Sequence, residues 1–362
     1  MSQKKFHEVD RLAQMIFEQA SRHQIDIVVD VGSGSGYLTH KVSQQYPTVA
    51  IDGDSARTGH SSRRGEFFNN KETCQVIHVT LNLDHVSFCA ILDEFWLSKN
   101  GTLIRDRNAD PMTHKKPRIL ITALHACGNL SSSTILTAYR RVTNIKSIMI
   151  VGCCYQLLTP SGFPISSVLK DACSDCSEGD YFPFSLSTMA RTPKLQITYR
   201  LLNCACQTMI GFSRQRIKDT WLSFTYRALL ESVLDEHGVQ VYNGIDKDTD
   251  NGQAKIKVGT LNRDAYAHGF EHYASLVCDK IGGVVLSHDQ IAQCQVSLDA
   301  NVLQGRIAFT CTMKRMLGPC IESLVLLDRL LYTNEISPNA QLLNLFDHDQ
   351  SPRNMVLQSW RD

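Results

Sequence analysis

The sequence contains no long apolar run and no recognisable targeting segment. Nothing in its 362 residues approaches the roughly 20 consecutive apolar residues that a membrane-spanning helix needs. The first residues, MSQKKFHEVD, lack the apolar centre of a signal peptide. We therefore predict an intracellular protein of the cytoplasm, with the nucleus as the alternative, and no membrane partner.

The chain also lacks an excess of charge of either sign. It has 37 lysines and arginines against 36 aspartates and glutamates, which leaves a formal net charge of +1. No field of the whole protein would therefore draw it onto nucleic acid or an anionic membrane. We expect no DNA partner, and an RNA contact would need a local basic face.

Disulfides are not expected, although the sequence has 13 cysteines. Disulfides are rare inside cells, and the number of cysteines is odd. We interpret the cysteines as reduced thiols, some buried and some reactive.

Short apolar runs alternate with segments long enough for crossover helices. A helix is predicted over residues 6–20 and a strand at Ile27–Val31, and the runs TVAID, QVIHVT, RILITALH and SIMIVG follow. This alternation predicts an α/β protein with a doubly wound, mostly parallel, Rossmann-like sheet. Such sheets bind ligands at the carboxyl ends of their strands. The polar ends of the predicted strands are Asp30, Asp52, Thr80, His125 and Gly152.

The second half of the sequence is predicted to be mostly helical. The amphipathic patterns are DTWLSFTYRALLESVLDEHG, with Gly238 as its end, RDAYAHGFEHYASLVCDKIG and LGPCIESLVLLDRLLYTNE. QLLNLFD and RNMVLQSW, joined by a turn at HDQSP, predict a final strand pair. We assign residues 1–195 to the core, 196–335 to a helical insertion before the last two strands, and 336–362 to a strand pair that completes the core sheet.

A glycine-rich turn follows the first predicted strand, in DIVVDVGSGSGYLTH. Gly32, Gly34 and Gly36 are spaced GxGxG, and glycine adopts positive φ at little cost and lets a ligand approach the backbone closely. The dinucleotide fingerprint GxGxxG would need its third glycine at Tyr37, and no GxxxxGK[ST] motif is present. An ordinary dehydrogenase or a kinase is therefore disfavoured.

Two acids accompany this turn. Asp30 lies two residues before the first glycine, and Asp52 ends the second predicted strand. Carboxylates accept hydrogen bonds from an ammonium group and from a ribose diol, so the pair favours a cofactor that carries both. The arrangement resembles motif I of class I S-adenosylmethionine-dependent methyltransferases, which implies S-adenosyl-L-methionine as the cofactor, with Asp52 on its ribose. The other cofactor residues at the turn are then Asp30, Gly32, Ser33, Gly34, Gly36, Tyr37 and Leu38.

The segments LHACGNLS and VGCCYQLL end the fourth and fifth predicted strands. Because these strands are neighbours in a doubly wound methyltransferase sheet, their side chains should converge beside the methyl donor. The candidate catalytic residues are His125, Cys127, Asn129, Cys153, Cys154 and Tyr155.

Four interpretations of this group stay open. The residues can line the substrate pocket, where His125 or a thiolate removes a proton, or a thiolate such as Cys127 or Cys153 can attack a pyrimidine ring. Histidine and cysteine can also bind zinc, and plain packing of small thiols is the fourth possibility. The spacing HxC with CC matches no common zinc module, and CSDC at 173–176 lacks a partner CxxC. We therefore assign no metal ligand.

The motif of adenine and amino N-methyltransferases is absent. Those enzymes often carry an acidic residue or Asn, then Pro-Pro and an aromatic, at the end of the fourth strand. This chain has His125, Ala126, Cys127 and Gly128 there, and Pro-Pro occurs nowhere in it. The sequence therefore does not support methylation of a base N6 atom by that mechanism.

Over nearly its whole length the chain resembles the methyltransferase-like protein 25 family, especially the branch named for a ribosomal RNA adenine dimethylase domain. The shared motifs, in order, are MSQKKFHEV, VVDVGSGSGYL, LHACGNL, VGCCYQLL with GFPIS, TYRALLE, IESLVLLDRLLY and LFDHDQSPRNMVL. The resemblance implies a methyltransferase with an unassigned substrate. It also places Lys4, Lys5, His7 and Glu8 near the cofactor entrance.

Two departures from the family pattern bear on activity. The family usually has Asp where this chain has Asn129, and its members carry a helical region ahead of MSxKK, so we expect a short form or a missing domain.

The first hypothesis on function is a methyltransferase whose RNA or protein substrate docks on the helical insertion. A non-catalytic scaffold with the same fold is the alternative. The insertion contains four cations that either contact RNA phosphates or lie on a solvated helix face. They are Arg214, Arg216, Lys218 and Arg227.

Overall fold

The protein forms two compact units. They comprise Met1–Thr208 with Pro319–Asp362, and Met209–Gly318. The structure is a computed structural model. It describes residues 1–68, 74–82, 84–173, 199–206, 213–236, 241–242, 256–257, 264–281, 286–287, 289–291 and 300–362. Gly238, the loop DKDTDNGQ and the segment that follows Cys173 lie outside these residues.

A seven-stranded sheet organises the first unit. The strands of the described chain are β1 (Ile27–Val31), β2 (Thr48–Asp52), β3 (Val76–Thr80), β4 (Phe95–Leu97), β5 (Leu103–Arg105), β6 (Ile119–Cys127), β7 (Ile145–Cys153), β8 (Val241–Tyr242), β9 (Ile256–Lys257), β10 (Gln341–Asn344) and β11 (Met355–Trp360). The sheet order is β10-β11-β7-β6-β1-β2-β3. Neighbours from β7 to β3 are parallel, whereas β11 is antiparallel to β7 and β10. The predicted doubly wound, mostly parallel α/β fold with its final strand pair is confirmed.

Helices surround the sheet and also form most of the described part of the second unit. They are α1 (Gln3–Arg22), α2 (Tyr37–Val42), α3 (Ser55–Phe68), α4 (His85–Asp93), α5 (Thr137–Arg141), α6 (Ser167–Cys173), α7 (Tyr199–Cys204), α8 (Arg214–Glu236), α9 (Asp264–Ala267), α10 (Phe270–Ile281) and α11 (Ala300–Asn334). A π-helical turn over Leu130–Leu136 leads into α5. Among the described helices, none is long and apolar enough to cross a membrane.

Both faces of the sheet are covered, which explains why its central strands are mostly apolar. Every residue of β1 is buried, and alternate side chains point to opposite faces. Val29 packs in one apolar cluster with Phe88 of α4, whereas Val28 packs in another with Leu12 and Ile16 of α1. The two clusters hold the carboxyl ends of the parallel strands at one edge.

Two predicted helices differ from the structure. The pattern over 263–282 predicts one helix, but the chain divides it into α9 and α10 at Gly269, whose φ is +93°. The helix expected to restart after Pro319 is instead continuous, and α11 runs from Ala300 to Asn334. Proline removes one backbone donor from a helix, and burial of Val325, which is 0% exposed, stabilises the later turns.

The first unit also extends into the segment that the sequence assigned to the insertion. Ile321 and Val325 of α11 pack with Tyr155, Phe163 and Leu202 in one apolar cluster. Residues 201–206 and 319–334 therefore lie in the first unit, although they fall within the predicted 196–335 insertion. Their apolar side chains complete the core beneath the end of β7.

The second unit has its own apolar cluster. Leu230 and Leu234 of α8 pack with Phe270, Tyr273 and Val277 of α10. The rings of Tyr226 and Phe270 meet edge to face, with centroids 5.6 Å apart. These contacts pair α8 with α10 and give the unit a core of its own.

Asp328 anchors a loop of the first unit to α11. The residue is 0% exposed. Its Oδ2 accepts a hydrogen bond from the Ile165 backbone N–H at 2.9 Å. Its Oδ1 accepts from the Ser166 N–H at 2.9 Å and the Ser166 hydroxyl at 2.6 Å. This carboxylate therefore satisfies three donors that the loop would otherwise bury without partners.

We predict that Asp328→Asn lowers the free energy of unfolding by about 2–4 kcal/mol, because the new amide donor would face a buried backbone donor. The exposed Asp110, whose carboxylate accepts from the Met112 N–H at 2.9 Å, provides the matched control, and Asp110→Asn should cost less than about 1 kcal/mol. Urea unfolding of both variants measures the difference. Equal losses would contradict the anchoring role of Asp328.

Candidate functional site

The glycine turn joins β1 to α2, and its geometry explains the three glycines. Gly32, Gly34 and Gly36 have φ values of +70°, +56° and +74°, in the left-handed region that side chains disfavour. A Cβ on Gly36 would lie 1.9 Å from the Ser61 Oγ, whereas a Cβ on Gly34 would meet nothing closer than the Gly32 carbonyl at 3.9 Å. Packing therefore requires the last glycine, and the middle one leaves its backbone open to a ligand.

Asp52 holds the turn from the end of β2. Its Oδ2 accepts a hydrogen bond from the Gly34 N–H at 2.8 Å, and its Oδ1 accepts from the Asp54 N–H at 2.9 Å. The Gly32 and Ser33 N–H groups donate to the Ile51 carbonyl at 2.8 and 3.1 Å. Each carboxylate oxygen has a further lone pair. The side chain can therefore accept from ligand hydroxyl groups while it keeps the turn in place.

Asp30 lies behind the turn rather than at its surface. It is 2% exposed, and its Oδ2 accepts a hydrogen bond from the Thr39 hydroxyl of α2 at 2.6 Å. Burial raises the pKa of Asp30 to about 6, although the Thr39 hydrogen bond acts in the opposite direction, and the charge of Asp52 adds to the rise. The turn therefore carries a buried acid whose ionisation opposes folding.

The remaining predicted cofactor residues have different positions. The ring of Tyr37 contacts two cations: the Lys5 ammonium is 4.4 Å and the Arg64 guanidinium 4.0 Å from its centroid. Leu38 is 3% exposed and belongs to the core. The Nε2 of His7 accepts a hydrogen bond from the Asp347 N–H at 3.0 Å, which ties the C-terminal loop to α1.

His125 occupies an irregularity in β6. The register with β7 shifts between Leu124 and Ala126, and His125 has a φ of +66°. Its Nε2 lies 3.1 Å from the Oε2 of Glu8 in α1. The Ser351 hydroxyl donates to the other Glu8 oxygen at 2.5 Å. The side chain of His125 is 35% exposed, and that of Glu8 is 3% exposed, so a buried acid holds a partly accessible imidazole.

The charge state of Glu8 determines which imidazole nitrogen is the donor. Burial tends to raise the pKa of Glu8, but the hydrogen bonds from His125 and Ser351 outweigh it and hold that pKa below its ordinary value. An ionised carboxylate only accepts, so the Nε2 of His125 carries a proton, and in the neutral imidazole Nδ1 keeps a lone pair. Sequence reasoning placed Glu8 near the cofactor entrance but did not predict this pair, because its members are 117 positions apart.

Three thiols converge at the ends of β6 and β7. Cys127 and Cys153 are paired across the two strands, and their Sγ atoms are 3.1 Å apart. Cys154 adopts a φ of +48°, and its Sγ lies 3.5 Å from that of Cys127 and 3.6 Å from that of Cys153. All three are free thiols. The predicted convergence therefore holds for these cysteines.

The thiols differ in their tendency to ionise. The hydrogen bond from Cys153 lowers the pKa of Cys127 to about 6, against the effect of burial. The same hydrogen bond raises the pKa of Cys153, and burial raises that of Cys154. Cys127, which is exposed, is therefore the thiol of the three that ionises most readily.

Tyr155 is buried in the core. It is 1% exposed, and its hydroxyl donates to the Glu322 Oε1 at 3.1 Å. The guanidinium groups of Arg329 and Arg353 lie 5.3 and 5.5 Å from its ring centroid. Burial raises the pKa of Tyr155 far above its ordinary value. Its aromatic ring packs in one apolar cluster with Ile321 and Val325 of α11.

Asn129 connects two loops beside the thiols. Its Nδ2 donates to the Thr159 hydroxyl at 2.6 Å, and its Oδ1 accepts from the Thr159 N–H at 3.0 Å. A Cβ on Gly162 would lie 2.1 Å from this Oδ1, so the second loop needs a glycine there. Asn129 therefore positions the loop at Thr159.

Comparisons with known proteins agree with the domain that these elements form. Residues 4–161 match the family model of a methyltransferase domain. The probable methyltransferase-like protein 25 of Mus musculus is 28% identical over 244 residues, covering 65% of this chain and 36% of that protein. The Homo sapiens protein of the same name is 25% identical over 259 residues, with 65% and 35% covered. The chain thus matches about a third of the length of these curated relatives.

A solved structure gives a weaker likeness. The S-adenosylmethionine-dependent methyltransferase of Clostridium acetobutylicum is 13% identical, covers 39% of this chain and 49% of its own, and has a TM-score of 0.26. The fold is supported by the sheet order and by the domain match. Residues 4–161 of this chain thus match a methyltransferase-domain family model, and the chain is similar to probable methyltransferase-like protein 25.

Proposed function

We propose that this chain transfers a methyl group from S-adenosyl-L-methionine to a macromolecule, either RNA or protein. The observation that carries the proposal is the turn at Gly34, which is open to a ligand and is held by the carboxylate of Asp52 through a 2.8 Å hydrogen bond. The methyltransferase-domain match over residues 4–161 supports the same assignment.

The residues of the turn fit this cofactor. Ribose hydroxyls can donate to the free lone pairs of Asp52, and the backbone at Gly34 has space beside it. The cofactor carries two positive charges, on its sulfonium and its ammonium groups. Asp30 and Asp52, at 2% and 6% exposure, place two buried acids close to the turn, where a low dielectric strengthens their attraction for a cation.

Bound S-adenosyl-L-methionine would supply an electrophilic methyl group, which leaves with no electrons while the C–S electron pair stays on sulfur. The protein must align the acceptor, exclude water and take up the acceptor's proton. Nδ1 of His125 has the lone pair for that proton, and Glu8 at 3.1 Å fixes the ring. His125 is therefore our candidate general base, and Glu8 is its positioning residue.

The acceptor class is the open part of the proposal. The helix α8 begins with exposed cations at Arg214 and Lys218, four residues apart and therefore on one face of the helix. Cations in that arrangement can contact successive phosphates, so RNA is the first pool of substrates to test and protein the second.

We predict micromolar binding of S-adenosylhomocysteine to the purified chain, weakened about 10- to 100-fold by Asp52→Ala, because that variant loses charge-assisted hydrogen bonds to the ribose and to the turn. Asp54→Ala removes an exposed acid from the same loop and should change the affinity less than threefold. Titration calorimetry measures both. If the folded parent chain does not bind, or if both variants bind like the parent, the assignment of the turn is wrong.

A second prediction concerns Asp30. Since its pKa is raised to about 6, the folded chain holds the proton more tightly than the unfolded chain, and stability falls as the pH rises through about 4 to 6. Asp30→Asn keeps an acceptor for Thr39 without the charge. It should therefore be more stable than the parent at pH 7.5, by at most about 3 kcal/mol, and bind the cofactor more weakly.

Urea unfolding at pH 7.5 and at pH 4.5 tests this prediction, since the stability gain of Asp30→Asn should shrink at the lower pH. An Asn variant that is less stable than the parent, with the same difference at both pH values, would show that the carboxylate of Asp30 is structurally required.

A third prediction concerns the imidazole. Asparagine tolerates the left-handed backbone of His125, so His125→Asn should lower methyl transfer about 100-fold while the affinity for S-adenosylhomocysteine stays constant. Glu8→Gln should change the pH dependence of transfer. The exposed His348 provides the control variant His348→Asn.

Transfer of labelled methyl groups to separate RNA and protein pools of a cell extract measures this activity. Full labelling by His125→Asn would exclude His125 as the base. Cofactor binding without labelling of either pool would contradict the enzymatic proposal and favour a cofactor-binding scaffold.

A further inference from the structure

The three thiols at the ends of β6 and β7 are arranged as ligands for a thiophilic metal ion. Their Sγ atoms form a triangle with sides of 3.1, 3.5 and 3.6 Å, longer than the roughly 2.05 Å of a disulfide. An ion about 1.2 Å above the plane of this triangle would lie about 2.3 Å from each sulfur, the usual Zn–S distance. We propose that Cys127, Cys153 and Cys154 bind one Zn²⁺ ion.

The sheet itself creates this ligand set. Cys127 and Cys153 are register partners across β6 and β7, so their backbones are fixed side by side before any ion binds. Cys154 follows with a left-handed backbone at φ +48°, which turns its thiol back toward the other two. A Cys-Cys pair normally points its side chains to opposite faces of a strand. The backbone reversal is therefore what brings the third sulfur into the group.

The ligand set is incomplete in a way that is typical of reactive zinc sites. Within the described residues, three side chains that can bind a metal ion come together here, those of Cys127, Cys153 and Cys154. Zinc prefers four ligands in a tetrahedron, and sites with three protein ligands keep the fourth position for water or substrate. Cys127 is exposed, so the fourth position can face solvent.

A buried cation beside the thiols offers charge compensation. Zinc replaces three thiol protons, and the resulting Zn²⁺ with three thiolates has a net charge of −1. Arg329 is 2% exposed, and its Nε and Nη2 atoms have no hydrogen-bond partner. Its Nη1 packs so closely on Gly152 that a Cβ there would lie 2.5 Å away. Asp328 and Glu322 attract this buried guanidinium, but two of its nitrogen atoms still lack hydrogen-bond partners, and an anionic metal centre would add to the compensation of its charge.

The site lies on the acceptor side of the proposed methyl transfer. Cys127 Sγ is 3.3 Å from the backbone carbonyl of His125. A bound ion would therefore join the ends of β6 and β7 next to the candidate base and supply a Lewis acid with one open position. The metal site stands on the thiol geometry and is independent of whether the chain binds S-adenosyl-L-methionine.

The first experiment is metal analysis of the full chain, purified under reducing conditions without chelators and reconstituted with zinc. Mass spectrometry of the elements should find about one zinc per chain. Substitution by Co²⁺ should give the visible bands of a tetrahedral centre and a near-ultraviolet band from thiolate-to-cobalt charge transfer. These spectra are recorded on the unaltered chain, so they do not depend on how a variant folds.

Matched variants then locate the ion. Cys127→Ser, at an exposed position, should weaken zinc binding at least 10-fold in competition with a colorimetric chelator and reduce the charge-transfer band. Cys74→Ser changes a half-buried thiol elsewhere in the same unit and should leave affinity and spectrum unchanged. Circular dichroism confirms that each variant is folded.

Two results would overturn the proposal. One is a folded, reduced chain that takes up neither zinc nor cobalt while a thiol reagent finds the three cysteines free. The other is zinc uptake that Cys127→Ser and Cys74→Ser affect equally. Calorimetry with S-adenosylhomocysteine on the same samples keeps a failure of this site distinct from a failure of the cofactor assignment.

Discussion

The parallel register of the central strands is the constraint on which the rest of the site depends. Because β1 lies between β2 and β6, and β7 follows β6, all four strands end at one edge of the sheet. Asp52 can then reach the turn at Gly34, and Cys127 meets Cys153 across neighbouring strands. A slip of one residue would point each side chain to the opposite face. Buried, branched side chains on both faces exclude such a slip.

Several buried charges in this edge oppose stability. Asp30 is an acid with a pKa raised by burial, and Arg329 is a guanidinium with unpaired nitrogen atoms. Glu8 differs from both, because His125 and Ser351 satisfy it. Buried charges with shifted pKa values are more common at functional sites than elsewhere. Asp30 lies behind the proposed cofactor turn, and Arg329 lies beside the thiols. Each would therefore face a ligand of opposite charge: the cationic groups of the cofactor at Asp30 and the anionic zinc centre at Arg329.

The sequence predicted the parts of the molecule that depend on local patterns. Continuous apolar runs identified β1, β2, β6 and β7, and alternate glycines identified a turn in which each has positive φ. Contacts between distant residues were beyond such patterns: neither the pairing of Glu8 with His125 nor the burial of Tyr155 against Glu322 has a local signal. The three thiols were predicted to converge. Their spacing, which suits a metal ion, could not be predicted, because sheet register rather than sequence spacing places the three sulfurs together. The continuity of α11 through Pro319 likewise depends on tertiary packing.

The central claim is that the glycine turn and Asp52 form the cofactor site, and hydrogen exchange measured by mass spectrometry tests it most directly. Saturation with S-adenosylhomocysteine should slow exchange in peptides that contain residues 32–40 and 52–57, where the backbone amides of the turn and of the Asp52 loop lie. Peptides of β4 and β5 should be unaffected. Protection confined to other segments, or none at saturating ligand, would contradict the account.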